Sequence, residues 1–246
     1  MTVLAGKGAL VTGGSRGIGR AIVERLARDG ATVTFSYVRD VAAAEQVVAA
    51  VAEVGGQAWA VPCDLADGAQ IAKLFDEAEQ NTGGLDIVVN NAAVVAVGLI
   101  ADTTDEQYDA IMDANAKGTF VAIREAARRL RDNGRLINIS TVNTVAQGAG
   151  ISLYAGSKAA VEQFSMVAAH ELGPRGITVN VVSPGATDTD MLRGANDPAD
   201  LAELPALSPL GRLGEPADVA DVVAFLAGPD GRWMTAQNLR VSGGGQ

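Results

Sequence analysis

The stretch Thr12-Gly13-Gly14-Ser15-Arg16-Gly17-Ile18-Gly19 decides the fold of this chain. It follows a short apolar run, Gly8–Thr12, and it opens a helical pattern in which Ile18, Ile22 and Leu26 recur every four residues. Glycines let a backbone turn tightly between a strand and a helix. They also let it approach the phosphates of a dinucleotide, which bind the amide groups of the first helical turn. The stretch therefore predicts a βα unit with a cofactor-binding loop.

Further short apolar runs alternate with helical patterns along the rest of the chain. The predicted strands are Thr32–Tyr37, Ala58–Cys63, Asp86–Asn90, Arg135–Ser140, Thr178–Ser183 and Asn238–Ser242. The predicted helices are Ala42–Val54, Thr104–Arg131, Leu153–Leu172 and Pro216–Leu226, and both Thr103-x-x-Glu106 and Thr104-x-x-Gln107 could cap the second of them. This alternation predicts an α/β fold: a single Rossmann domain over 1–246 whose doubly wound, seven-stranded parallel sheet carries helices on both faces. A (β/α)₈ barrel needs one unit more.

Composition excludes several classes of function. The 246 residues carry 29 acidic and 19 basic side chains, a net charge of −10 that disfavours nucleic-acid binding. One cysteine, Cys63, and one histidine, His170, exclude an internal disulfide and an ordinary Cys/His zinc site. The apolar runs are too short for a membrane helix, and the N-terminal residues do not resemble a secretory signal. We expect a cytoplasmic protein that acts on a small molecule.

The glycine-rich stretch also fits a second motif. Gly13-x-Ser15-x-Gly17 matches the nucleophile elbow of α/β-hydrolases. That function needs a histidine base, and His170 lies in a helical run without an oxyanion motif anywhere in the chain. The hydrolase hypothesis is therefore disfavoured.

The end of the second strand indicates which dinucleotide binds. An NAD site of this kind places an acid about 20 residues past the glycines, on the ribose 2′-hydroxyl. Here Tyr37 occupies that place, and the first acidic residue after it is Asp40. Arg16 and Arg39 supply positive charge that suits a 2′-phosphate. We predict NADP(H) as the preferred cofactor, with NAD(H) still possible.

Tyr154 and Lys158 carry the predicted chemistry. Four residues apart in a helical pattern, they share one face of the helix. A lysine ammonium stabilises a phenolate and so lowers a tyrosine pKa that is ordinarily about 10. Such a tyrosine exchanges a proton with a carbonyl or an alcohol near neutral pH. Ser140 and Thr141, at the end of the preceding strand, offer a hydroxyl that could hold the substrate oxygen.

Taken together, these motifs resemble the short-chain dehydrogenase/reductase family over nearly the whole chain. The tail, from Pro209–Pro216 to Val241–Gly244, resembles bacterial 3-oxoacyl-[acyl-carrier-protein] reductases and related carbonyl reductases. The matching motifs are Thr12–Gly19, Asp64-Leu65, Asn90-Asn91-Ala92-Ala93, Asn115–Phe120, Tyr154-x-x-x-Lys158 and Pro184-Gly185.

The resemblance implies reversible, NADPH-dependent reduction of a ketone or aldehyde. Tyr154 would be the general acid/base, Lys158 would lower its pKa and bond the nicotinamide ribose, and Asn115 would hold a water of the proton relay. The implied catalytic residues are Asn115, Ser140, Thr141, Tyr154 and Lys158. The implied cofactor-binding residues are Gly13, Ser15, Arg16, Gly17, Ile18, Gly19, Tyr37, Arg39, Asp64, Leu65, Asn91, Ala92, Tyr154, Lys158, Pro184, Gly185, Thr187 and Thr189.

Departures from the family pattern are few. The family's catalytic serine position holds Thr141, with Ser140 before it. Neighbouring strand residues face opposite ways, so we expect one hydroxyl, that of Thr141, to face the substrate. Ala236 and Ser242 replace a glycine and an aspartate in the tail, near the family's subunit contacts.

The substrate and the assembly stay open at this point. A loop over 186–213 should cap the pocket, and its predicted apolar wall comprises Met191, Leu192, Leu204, Val94, Val95 and Val145. A basic cluster at Arg124, Arg128, Arg129 and Arg131 could dock an acidic carrier protein or be an ordinary surface. The resemblance implies a homotetramer or dimer with paired long helices. The alternatives are an NAD(P)-binding regulator with little catalysis and an NAD-dependent alcohol dehydrogenase.

Overall fold

The computed structural model describes residues 2–245, and these form a seven-stranded parallel sheet between two layers of helices. The strands are β1 (Gly8–Val11), β2 (Thr32–Tyr37), β3 (Gln57–Pro62), β4 (Leu85–Asn90), β5 (Leu130–Ile139), β6 (Thr178–Pro184) and β7 (Asn238–Val241). Their order is β3-β2-β1-β4-β5-β6-β7, and every neighbouring pair is parallel. The predicted fold class is confirmed.

Helices cover both faces of the sheet. They are α1 (Gly17–Arg28), α2 (Val41–Glu53), α3 (Gly68–Thr82), α4 (Asp105–Ile111), α5 (Gly118–Arg129), α6 (Ser152–Leu172), α7 (Asp190–Ala195), α8 (Pro198–Glu203) and α9 (Pro216–Ala227). In the part of the chain from residue 2 to 245, no helix is long and apolar enough to cross a membrane.

The apolar runs of the strands are explained by burial on both faces. In β1, Ala9 and Val11 pack with α1, α2 and α9, whereas Leu10 packs with α3, α5 and α6. Because successive side chains of a strand point to opposite faces, a strand covered on both sides must be apolar throughout.

One helical prediction is wrong, and one helix was not predicted. The segment predicted as one helix over Thr104–Arg131 begins at a capping box that uses Thr104 and Gln107. It then passes through a π-helical turn, Met112–Lys117, and ends at Arg129, where β5 begins. Helix α3 was not predicted; its first turn is capped by the Asp67 carboxylate, which accepts from Ala69 N at 2.9 Å.

Ala236 lies in the left-handed region, with φ +55°. Its amide donates to Val179 O at 2.8 Å, which fixes it beside β6. A left-handed conformation costs a residue with a Cβ about 1–2 kcal/mol, and glycine avoids that cost. The alanine noted in the tail is therefore a strained position.

We expect Ala236→Gly to raise the free energy of unfolding by about 1 kcal/mol, because relief of strain exceeds the added chain entropy of glycine. Urea denaturation monitored by circular dichroism measures the change. The same substitution at Ala49, an exposed residue inside α2, should lower stability by about 1 kcal/mol. A loss of stability at both positions would contradict the strain at Ala236.

Candidate active site

The site lies where the order of strands reverses. From β1 the chain crosses to β2 on one side and later to β4 on the other, so the loops after β1 and β4 diverge. Ligands of doubly wound sheets bind in the crevice that this divergence opens at the carboxyl ends of the strands. The segments after β1, β4, β5 and β6, which carry the predicted motifs, all meet at this edge.

The glycine-rich loop is fixed on one side by Ser36 of β2. Its buried hydroxyl accepts a hydrogen bond from Gly13 N at 3.0 Å, and its carbonyl accepts one from Gly14 N at 2.8 Å. Ser36 was not among the predicted site residues. A serine near the end of a strand, opposite the glycine-rich loop, is the signal that could have found it.

On the other side the loop is fixed by the segment after β4. The buried Thr12 hydroxyl accepts from Asn91 N at 3.0 Å and from Ala92 N at 3.1 Å. The Asn91 carboxamide donates to Thr12 O at 3.0 Å and to Gly13 O at 3.1 Å. Asn91 is predicted to bind the cofactor, but here its side-chain amide donates to the backbone of the glycine-rich loop and holds that loop in shape.

The loop leaves a cradle that fits a pyrophosphate. Gly13 and Gly17 have φ +67° and +54°, and a Cβ at Gly19 would lie 2.0 Å from Gly13 O. Within residues 2–245, no hydrogen bond from the Arg16 side chain caps the first turn of α1. Amide groups of an uncapped first turn bind anions, so the residues present suit a dinucleotide.

The end of β2 suits a phosphate better than a ribose hydroxyl. Arg16 and Arg39 are exposed, and neither pairs with a carboxylate among the residues described. Asp40, the first acid after the half-buried Tyr37, accepts from Ala43 N at 2.9 Å and so caps α2. The Asp40 carboxylate therefore caps a helix and is less suited to binding a ribose hydroxyl.

The remaining predicted cofactor residues line the same edge. Asp64 is exposed after β3 and accepts from Ala66 N at 3.0 Å, while Leu65 is buried. Beyond β6, the Thr187 hydroxyl donates to Gly185 O at 3.0 Å, and the Thr189 hydroxyl accepts from Leu192 N at 3.2 Å. These two hydroxyls shape the loop after Pro184.

Thr141 and Tyr154 are brought together. The Thr141 hydroxyl lies close enough to that of Tyr154 to work to lower the tyrosine pKa. Ser140, also predicted as catalytic, turns the other way and donates to Glu162 of α6 at 2.7 Å. The alternation of side chains along extended backbone explains why these neighbours face different partners.

Lys158 is 2% exposed, and its Nζ donates to Ile139 O at 2.8 Å. Burial lowers the lysine pKa to about 8. The pKa of Tyr154 is raised, because burial outweighs the effect of the Thr141 hydroxyl. The expectation that Lys158 lowers the tyrosine pKa is therefore not met here: the ammonium is bonded to the backbone.

Asn115 lies buried in the π-helical turn. Its carboxamide accepts from Val94 N and donates to Val94 O, both at 2.8 Å, and it donates to Ser157 Oγ at 3.1 Å. Ser157 in turn donates to Tyr154 O at 2.8 Å. The side-chain donors of Asn115 thus join the loop after β4 to the helical turn that carries the tyrosine.

The mouth of the site is apolar. Val94, Val145 and Met191 are exposed, as the predicted wall requires. A hollow of about 410 Å³ has a lining that includes Leu99, Ile100, Gly150, Ile151 and Ala155, the residue after Tyr154.

Two predicted surface features have other partners. Arg128 and Arg129 bond the buried Glu125 at 3.1 Å, and Arg131 pairs with Asp86 at 3.2 Å. The arginine cluster is therefore largely neutralised by carboxylates. His170 is exposed in the last turns of α6, about 24 Å along the helix from Tyr154, which removes the hydrolase alternative.

Comparison with known proteins agrees with this geometry. Residues 13–246 match a family model described as enoyl-(acyl carrier protein) reductase. Over 246 residues the chain is 43% identical to an uncharacterized oxidoreductase of Methylorubrum extorquens, and the match covers 99% of both. Over 252 residues it is 40% identical to a trihydroxynaphthalene reductase of Colletotrichum orbiculare, and the match covers 98% of this chain and 89% of that one.

A solved structure also matches over the whole fold. A short chain dehydrogenase from Burkholderia cenocepacia in complex with NADP gives a TM-score of 0.94 at 42% identity, with 99% of both chains covered. With sequence, fold and site in agreement, the chain belongs to the short-chain dehydrogenase/reductase family of NAD(P)-dependent oxidoreductases.

Proposed function

We propose that this enzyme uses NADPH to reduce an uncharged, apolar ketone or aldehyde to an alcohol. The observation that carries the proposal is the proximity of the Thr141 and Tyr154 hydroxyls, with the buried Lys158 one helical turn after the tyrosine. A regulatory protein without catalysis would not need this arrangement.

The roles of the side chains follow from their bonds. Bound NADPH supplies the hydride to the carbonyl carbon. Thr141 holds the substrate oxygen, and Tyr154 donates its hydroxyl proton to that oxygen, which leaves a phenolate. The phenolate is stabilised by the Thr141 hydroxyl, and it regains a proton from solvent.

The cofactor preference rests on Arg16 and Arg39. Arg16 is exposed in the glycine-rich loop and Arg39 is exposed just after β2, where the first acid, Asp40, accepts a hydrogen bond that caps α2. The relative from Burkholderia cenocepacia, solved with NADP, supports the same preference.

The substrate we favour is a free carbonyl compound with a large apolar body. The exposed valines and Met191 at the mouth suit such a compound, and one relative is a trihydroxynaphthalene reductase. Carrier-protein-bound 3-oxoacyl groups are the second candidate. The pairing of Arg128, Arg129 and Arg131 with carboxylates makes docking of an acidic carrier less favourable.

We also propose that the chain forms a homotetramer in the cytoplasm. Phe120 of α5 and Val167 of α6 are exposed apolar residues on the predicted pairing helices, and Trp233 is 95% exposed. Light scattering of the purified chain distinguishes a tetramer, a dimer and a monomer.

A single buried thiol, Cys63, suits a reducing compartment.

Tyr154→Phe should abolish turnover and leave NADPH affinity within about twofold, because only the proton donor is lost. Consumption of NADPH is followed with 2-tetralone, 2,3-butanedione and acetoacetyl-coenzyme A, and binding is followed by NADPH fluorescence. Tyr108→Phe, on exposed α4, is the control. Full activity of Tyr154→Phe would refute the proton-donor role. A wild-type chain that binds NADPH but reduces none of the three compounds favours the regulator.

Arg39→Ala and Arg16→Ala should each raise the KM for NADPH about 10-fold or more and leave the KM for NADH nearly unchanged. A charge-assisted bond to phosphate is worth about 1.5–3 kcal/mol. Arg28→Ala, on an exposed arginine near the far end of α1, should change neither constant. An equal rise in the KM for both cofactors would show that these arginines do not bind the 2′-phosphate.

Lys158→Met should change stability in a pH-dependent way. Burial depresses the lysine pKa from 10.5 to about 8, so holding the proton destabilises the fold at pH 7. That cost falls as the pH rises from about 8 toward 10.5. The difference in unfolding free energy between variant and wild type should therefore move by about 2 kcal/mol between pH 7 and about pH 9.5, with the variant relatively more stable at pH 7. Urea titrations without cofactor measure this difference. Lys73→Met, on an exposed lysine of α3, is the control, and its stability difference should not change with pH.

A further inference from the structure

The segment that carries Thr141 is tied to α6 by a single carboxylate. Glu162 Oε1 accepts a hydrogen bond from Ser140 Oγ at 2.7 Å and another from Thr144 Oγ1 at 2.8 Å. Thr141 thus lies between two residues whose hydroxyls end on the same oxygen atom. Thr144 Oγ1 also lies 3.1 Å from Thr141 O, which closes the turn.

The carboxylate belongs to the same rigid element as the proton donor. Glu162 lies eight residues after Tyr154 in α6, and Lys158 lies midway between them. Positions four residues apart share a face of a helix. A segment bonded to Glu162 is therefore held at a fixed place relative to Tyr154, about 12 Å farther along the axis.

We infer that Glu162 is a positioning residue for the reduction: it holds 140–144 so that the Thr141 hydroxyl meets Tyr154. This rests on the proposed function, since it assumes that the two hydroxyls act on the substrate oxygen. Glu162 makes no bond to Tyr154 or Lys158 among the residues described. Its effect would pass through Ser140 and Thr144.

Loss of the carboxylate should affect chemistry more than cofactor binding. In Glu162→Ala the segment is released, and a displacement of about 1 Å at a catalytic group can cost about 100-fold in rate. We expect kcat to fall about 10- to 100-fold, while NADPH affinity stays within about threefold. Glu162→Gln keeps an oxygen that accepts both bonds, and it should retain at least about one third of the wild-type kcat.

The experiment compares these variants in two backgrounds, wild type and Thr141→Ala. If Glu162 acts through Thr141, Glu162→Ala lowers kcat in the wild type but adds no further loss to Thr141→Ala. A purely structural role would lower kcat by the same factor in both backgrounds, and this result would overturn the inference. Glu171→Ala, on an exposed glutamate of the same helix, is the matched control and should leave kcat unchanged.

A second readout needs no substrate. The Thr141 hydroxyl works to lower the Tyr154 pKa, so Glu162→Ala should shift tyrosinate formation at Tyr154 to higher pH. Ultraviolet difference spectra, with Tyr154→Phe identifying the signal, measure the shift. An unchanged titration would overturn the inference. If Glu162→Ala fails to fold, Thr144→Val removes one of the two bonds and should produce the same changes at smaller amplitude.

The two proposals fail in different ways. If Tyr154→Phe keeps its activity, the proposed function is wrong, and the titration still reports whether Glu162 sets the Thr141–Tyr154 contact. If Tyr154→Phe is inactive and Glu162→Ala has the wild-type kcat, only the positioning role is wrong.

Discussion

Parallel strands end at one edge of a sheet, and every functional feature of this enzyme depends on that constraint. The loop after β1, the asparagines after β4 and the hydroxyls after β5 come from distant parts of the chain, yet they meet there. Their relative positions are then fixed by buried side-chain bonds. Ser36 and Thr12 hold the glycine loop, and Asn115 holds the segment after β4. The sheet brings the groups together, and these few polar contacts set the distances on which chemistry depends.

The central strands β1, β4 and β6 could be predicted because each is buried on both faces and so is mostly apolar. Helix α3 was missed because most of its surface is polar and only Ile71, Leu74 and Phe75 mark its buried face. The break in the long helix was missed for a different reason. The π-helical turn is stabilised by bonds between Asn115 and Val94, and such a tertiary contact leaves no periodic signal in the sequence.

Within the site, residue types with a known chemical role could be predicted, whereas the groups that orient them could not. Tyr154, Lys158 and Thr141 could be predicted because they occupy motif positions of the family that the sequence resembles. Ser36 looks like any serine in a strand, and Glu162 like any glutamate on a helix. Their role becomes visible only from the hydrogen bonds that they make in the folded structure. The same limit applies to the partner of Lys158. The sequence places Lys158 on the face of Tyr154, but its ammonium is bonded to Ile139 O.

The π-helical turn has a consequence for how related pockets can diverge. In a regular α-helix each residue rotates the direction of the side chains by about 100°. The number of residues between Met112 and Lys117 therefore sets how α4 is rotated relative to α5. Insertion or deletion of one residue in this turn would rotate α4, whose Gln107 lines a small hollow together with Leu153, the residue before Tyr154, and leave the sheet unmoved. Single-residue length changes are thus a route by which substrate range could evolve separately from the proton-transfer machinery.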